Sequence, residues 1–179
     1  MKSKRYFILF ILVMSINYSK AQTKMIVSKK HTLLVDMPKN WIQVQDGPVP
    51  FFIVPDEKNV SDKTYIYVFG NDYETAPEID NWIEIENQYQ KENNKGVKIG
   101  EQELKFENIH KDNFLTGKYK VITYDYLDKS QQITLVIECK TTIVIVVLNT
   151  IDEDEKNKYM KDFIDISKTI KIMNSTVKN

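Results

Sequence analysis

The chain has little of what usually announces chemistry. It has one cysteine, two histidines and five glycines in 179 residues. A lone Cys139 excludes an internal disulfide and any zinc site built on cysteine pairs. His31 and His110 are far apart in sequence, and no His-Glu-x-x-His pattern is present. The glycines, at positions 47, 70, 96, 100 and 117, are scattered, so there is no glycine-rich phosphate loop. Neither charge sign is in excess, with 25 basic and 25 acidic residues. A nucleic-acid binder normally carries a basic footprint, so no nucleic-acid partner is expected.

What is present begins at the amino terminus. Lys2, Lys4 and Arg5 precede the apolar run from Tyr6 to Ile16, and small residues stand at Ser19 and Ala21. That is the layout of a secretory signal peptide over residues 1–21, cleaved before Gln22. The apolar run is too short to anchor the chain across a bilayer. No cysteine follows it to carry a lipid, so no stable membrane anchor is expected after cleavage. The expected mature chain, residues 22–179, has 158 residues, enough for one domain with a sizeable core. Losing residues 1–21 removes four basic residues and no acidic one, which leaves a charge of −4. The expected location is periplasmic or secreted.

Strand patterns follow a lead-in over residues 22–30. Thr32–Met37 stops at Pro38, and Trp41, Ile42 and Val44 form a second short strand. Phe51–Val54 and the aromatic Thr64–Phe69 read as strands separated by a charged loop, 56–63. Thr75 and Glu78 have capping-box spacing and predict a helix with Ile79, Trp82, Ile83 and Tyr89 on its buried stripe, flanked by Ile85. Asn93, Asn94 and Gly96 end it. Leu104 and Phe106 alternate within a β-rich 101–109. Leu115–Tyr126 is a long strand, with Tyr119 and Val121 on one face and Ile122, Tyr124 and Tyr126 on the other. Ile133, Leu135 and Ile137 alternate with Thr134, Val136 and Glu138. Thr142–Leu148 is apolar on both faces and belongs mid-sheet. Thr150 and Glu153 repeat the capping-box spacing, and Tyr159, Phe163, Ile166 and Ile170 form the buried stripe of a closing helix. Residues 174–179 read as a frayed tail. The resulting fold class is α+β, an antiparallel sheet packed with two long helices.

The opening strand Thr32–Met37, the turn Pro38-Lys39-Asn40-Trp41 and the terminal segment 142–170 resemble the PsbP/Mog1/DcrB-like fold family. The resemblance covers residues 31–173 and implies an α/β/α sandwich. It carries no active-site motif, and the family includes scaffold and interaction proteins with unrelated roles. The Ser-Lys-Ala-Gln junction resembles that of exported Bacteroidetes proteins.

Individual residues offer no catalytic set. Cys139 reads as a small, partly buried side chain near a turn; His31 and His110 read as surface histidines. Ser61 and Ser130 lie in turns without a base. Asp152–Glu155 suits a helix amino end, not a calcium loop, and Asp56, Glu57 and Asp62 lack a ligand pattern. No catalytic, cofactor-binding or metal residue is expected, and no cofactor. The aromatic residues Trp41, Phe51, Phe52, Tyr65, Tyr67, Phe69, Tyr119, Tyr124 and Tyr126 are the remaining lead. Tyr65, Tyr67 and Tyr119 are expected on a wetter face framed by loops 47–50 and 56–63. The leading expectation is a non-enzymatic binding or accessory protein with an envelope or extracellular protein as partner. A small lipid or apolar-ligand carrier is the alternative, and a small hydrolase with a non-sequential site comes third.

Overall fold

The strand from Thr142 to Thr150 is buried at every position, and the rest of the fold supplies cover for both of its faces. The computed structural model describes residues 22–58 and 60–175. The expected signal segment 1–21 and the end of the expected tail, 176–179, lie outside them. Among the described residues, ten strands and two long helices follow in the order β1 (Gln22–Val27), β2 (His31–Met37), β3 (Trp41–Gln43), β4 (Phe51–Pro55), β5 (Tyr65–Asp72), α1 (Ile79–Asn93), β6 (Lys98–Glu101), β7 (Leu115–Asp125), β8 (Gln131–Cys139), β9 (Thr142–Thr150), α2 (Glu153–Thr169) and β10 (Lys171–Asn174).

Seven strands form one antiparallel sheet in the order β3-β4-β5-β9-β8-β7-β6, with β9 at its centre. The alternation in sequence sorts its residues correctly. Val121, Ile133, Leu135, Ile137, Val144, Val146 and Leu148 point toward α2, whose Tyr159, Phe163 and Ile166 are buried among them. Ile122, Tyr124, Val136, Ile143, Ile145 and Val147 point the other way, under Ile79 and Ile83 of α1. Side chains alternate across a strand, so a central strand needs apolar residues throughout.

A second sheet, β1-β2-β10, lies beside α2 and closes that side of the core with Ile26, Leu33, Val35 and Ile172. It changes both chain ends from their expected form. The lead-in is strand β1, and Asn174 pairs with His31 instead of fraying. Ser175 donates its backbone N–H to the Lys30 carbonyl at 3.1 Å. Backbone groups beside an open strand find partners there.

Both helices begin differently from their expected capping boxes. Glu78 makes no side-chain cap. Instead, buried Glu138 of β8 accepts the Ile79 N–H at 2.9 Å, with Lys118 3.3 Å from its carboxylate. At α2 the cap is Asp152, which accepts the Glu155 N–H at 2.9 Å. Ile85 and Tyr89 do not join the buried stripe and are 61% and 56% exposed. Between β6 and β7 the chain has no strand, so the expected alternation at 101–109 is absent. Phe106 and Ile109 are still buried. Asn108 holds this segment in place by donating to the carbonyls of Ser167 and Ile170 at the end of α2. Among the described residues, no helix is long and apolar enough to cross a membrane.

Candidate functional site

His31 is only 1% exposed, not a surface residue. It opens β2, and its Nδ1 lies 2.6 Å from Asp72 Oδ1 at the end of β5. Asp72 also accepts from the Thr142 hydroxyl at 2.9 Å, the Ser28 hydroxyl at 2.9 Å and the Lys30 amide at 3.0 Å. Burial alone would raise the Asp72 carboxyl. The bonds from His31, Thr142, the Lys30 amide and Ser28 outweigh it and hold the group below the usual carboxylate range. A base and its orienting acid are half of a hydrolytic triad. The other ring nitrogen, however, faces Gly70, where a Cβ would stand 2.5 Å from Nε2. The cluster fastens the small sheet to the large one.

The remaining candidate residues are also placed. Cys139 is fully buried, deeper than expected. Burial, with Asp112 and Glu138 adding to it, pushes its thiol up to about 12. That removes the thiolate a nucleophile needs. His110 is exposed, beside Asp112. The Ser61 hydroxyl turns toward Asp62, and that of Ser130 toward Asp128. Glu57 pairs with Lys158, while Asp152 and Glu155 serve the start of α2. Among the described residues, no three His, Cys, Asp or Glu side chains gather where a metal would sit.

The aromatic residues divide between the two faces. Trp41 and Phe51 belong to the α2 side, where the Trp41 indole N–H donates to Asp162 at 2.9 Å. Tyr119 is on that side too, against Phe106, and is not part of the wetter face. Phe52, Tyr65, Tyr67 and Phe69 stand together on the α1 side, half-buried. Their rings adjoin at centroid separations of 4.9 Å (Phe52–Tyr65, tilted), 5.9 Å (Tyr65–Tyr67, stacked) and 5.7 Å (Tyr67–Phe69, tilted).

Helix α1 packs chiefly over β7 and β8, and the half-buried ridge on β4 and β5 stands beside it. Its far flank, with Asp80, Glu84, Asn87, Gln88 and Lys91, borders a depression of about 450 Å³ next to Lys120 of β7. With 100° between residues, Trp82, Ile85 and Tyr89 fall on the opposite flank, toward the ridge. Trp82 packs into the cluster that holds Tyr67, Phe69 and Tyr73. The result is a groove with an apolar helix flank on one side and adjoining rings on the other. Loop 47–50 meets its outer margin, since a Cβ on Gly47 would lie 2.9 Å from the Phe52 Cβ. Loop 56–63 spans both sides: Glu57 is engaged with Lys158 of α2, while the Lys63 carbonyl accepts from Asn149, beside Tyr65, at 2.7 Å.

The elements define an α+β domain with an aromatic surface beside α1. No protein-family model matches the chain, and no curated protein matches it. Among solved structures, the chain is similar to cyanobacterial PsbP (CyanoP) from Synechocystis sp. PCC 6803. The TM-score is 0.56 over 89% of this chain and 96% of that one, at 13% sequence identity. At that identity the likeness shows the fold alone.

Proposed function

We propose that the protein is an exported, non-enzymatic binding or accessory module, periplasmic or secreted, whose groove between α1 and β4–β5 takes a protein partner. One observation carries this reading. Ile85 and Tyr89 stand exposed on the helix flank beside the half-buried rings of Phe52, Tyr65, Tyr67 and Phe69, with Trp82 packed against Tyr67 and Phe69. Rigid aromatic side chains with polar tips supply interface area at low entropic cost. The hydrolase reading lacks support at the His31–Asp72 pair, which offers its free nitrogen to Gly70 and not to a hydroxyl. The apolar-carrier reading lacks support under α1, where Ile79 and Ile83 fill the space above the sheet.

The test compares capture of a native envelope partner by the wild-type protein, by Ile85→Asp and Tyr89→Ala, and by the triple variant His31→Ala, His110→Ala, Cys139→Ala, with each fold checked by circular dichroism. Loss in the groove variants alone supports the proposal. Hydrolytic turnover abolished by His31→Ala or His110→Ala in a folded protein would reverse it. A co-purifying lipid would promote the carrier reading. Export itself is checked by intact mass, which should show a chain starting at Gln22.

A further inference from the structure

Beside the aromatic surface, α1 carries an acid that no basic side chain among the described residues pairs with. Glu86 shares the sheet-facing side of α1 with Ile83 and Gln90 and is half-buried. Gln90 donates to one of its oxygens at 2.8 Å. Among the described residues, no lysine, arginine or histidine forms an ion pair with it. Around it stand tyrosines. Tyr126 donates to Gln90 at 3.1 Å, and Tyr124 donates to Asn87 at 2.9 Å. The phenols of Tyr67, Tyr124 and Tyr126 are all raised, mainly by burial, and the Glu86 carboxylate adds to each shift. The Glu86 carboxylate therefore keeps acceptor capacity beyond its single bond from Gln90.

We propose that the groove recognises a cationic side chain, with the Glu86 carboxylate taking the ammonium or guanidinium group of a lysine or arginine on the partner polypeptide. The walls suit the rest of such a side chain. A long aliphatic stem lies along apolar surface while its charged head reaches a polar site. Trp82 and Ile85 offer that surface above Glu86. The exposed acids Glu78 and Glu92 at the two ends of α1 favour approach of a basic segment. This inference rests on the groove being the partner site.

The experiment uses small probes, so its outcome is independent of finding the partner. Tyrosine ring signals of the purified protein are followed by NMR during titration with n-butylammonium, n-butylguanidinium and n-butanol. The two cations should produce saturable shifts at Tyr67, and butanol should not. Glu86→Gln keeps the side chain's shape and its contact with Gln90, and should weaken the cation response roughly tenfold or more. Glu84→Gln, on the far flank, should leave it unchanged. No saturable response to either cation, an equal response to butanol, or an undiminished response in Glu86→Gln would overturn the inference. Cation binding that persists while groove variants still capture the native partner would overturn the partner site and leave the cation site standing.

Discussion

Replacing Asp72 with alanine should be among the most damaging single changes outside the hydrophobic core. Asp72 has a side chain only 17% exposed and serves four donors. Two of them, His31 and Thr142, are 1% and 0% exposed and have no water to fall back on. Each buried donor left without a partner costs about 1–3 kcal/mol. Ser28 and the Lys30 amide are half-exposed and can turn to solvent. The expected loss is therefore about 4 kcal/mol, or roughly 8–16 °C in Tm for a domain of this size. Urea and thermal unfolding at neutral pH measure it directly. Asp128→Ala is the control, because Asp128 accepts similar bonds from Ser130 and Lys63 on an exposed turn and should shift Tm far less. The pH dependence adds a second readout. Asp72 is held below its ordinary range in the folded state, so its stabilisation is complete above the unfolded value of about 3.9 and is lost as pH falls through the lower folded value. The gap between wild type and Asp72→Ala should be wide at neutral pH and close below about pH 4. A Tm shift no larger than that of Asp128→Ala would refute the idea that this cluster fastens the two sheets.

Three further outcomes follow from the packing. Phe163→Asp puts a charge in a fully buried site and should cost about 4 kcal/mol or more, whereas Asp154→Ala, on an exposed first turn, should change unfolding little. Glu138→Ala removes the acceptor that caps α1, so hydrogen exchange should quicken at the Ile79 amide while the amides of α2 keep their protection. Cys139 should resist thiol reagents in the native protein at pH 8 and react only as the chain unfolds, because the buried thiol stays protonated.

The sheet was legible because its faces are written in alternation. Ile133, Leu135 and Ile137 against Thr134, Val136 and Glu138 assign two sides without any tertiary information, and an unbroken run such as Thr142–Leu148 can only be central. Local capping was less legible. The Thr75–Glu78 spacing fits a capping box, but the acceptor at α1 is Glu138, 59 residues away, a relationship no local pattern records. His31 misled for a similar reason. It follows Lys29 and Lys30 and reads as surface until Asp72 of another strand is placed beside it. The groove was half visible. The aromatic residues of β5 could be counted, yet Tyr119 and Phe51 belong to the opposite face. The helical phase also separates Ile83 from Ile85, so Ile85 and Tyr89 point beside the sheet and not down onto it. Those two exposed positions were the available signal, because an apolar residue off the buried stripe of an amphipathic helix has no partner within its own core.

The central claim is that the channel between α1 and β4–β5 is where this protein meets its partner. The most direct measurement places a photo-crosslinking amino acid at position 85 or 89, and, as controls, at Met25 and Leu127, which are 67% and 76% exposed elsewhere on the surface. After irradiation in the native host, positions 85 and 89 should both join the protein to the same polypeptide, and positions 25 and 127 should not. Adducts equally abundant from all four positions, or none from the two on α1, would contradict it.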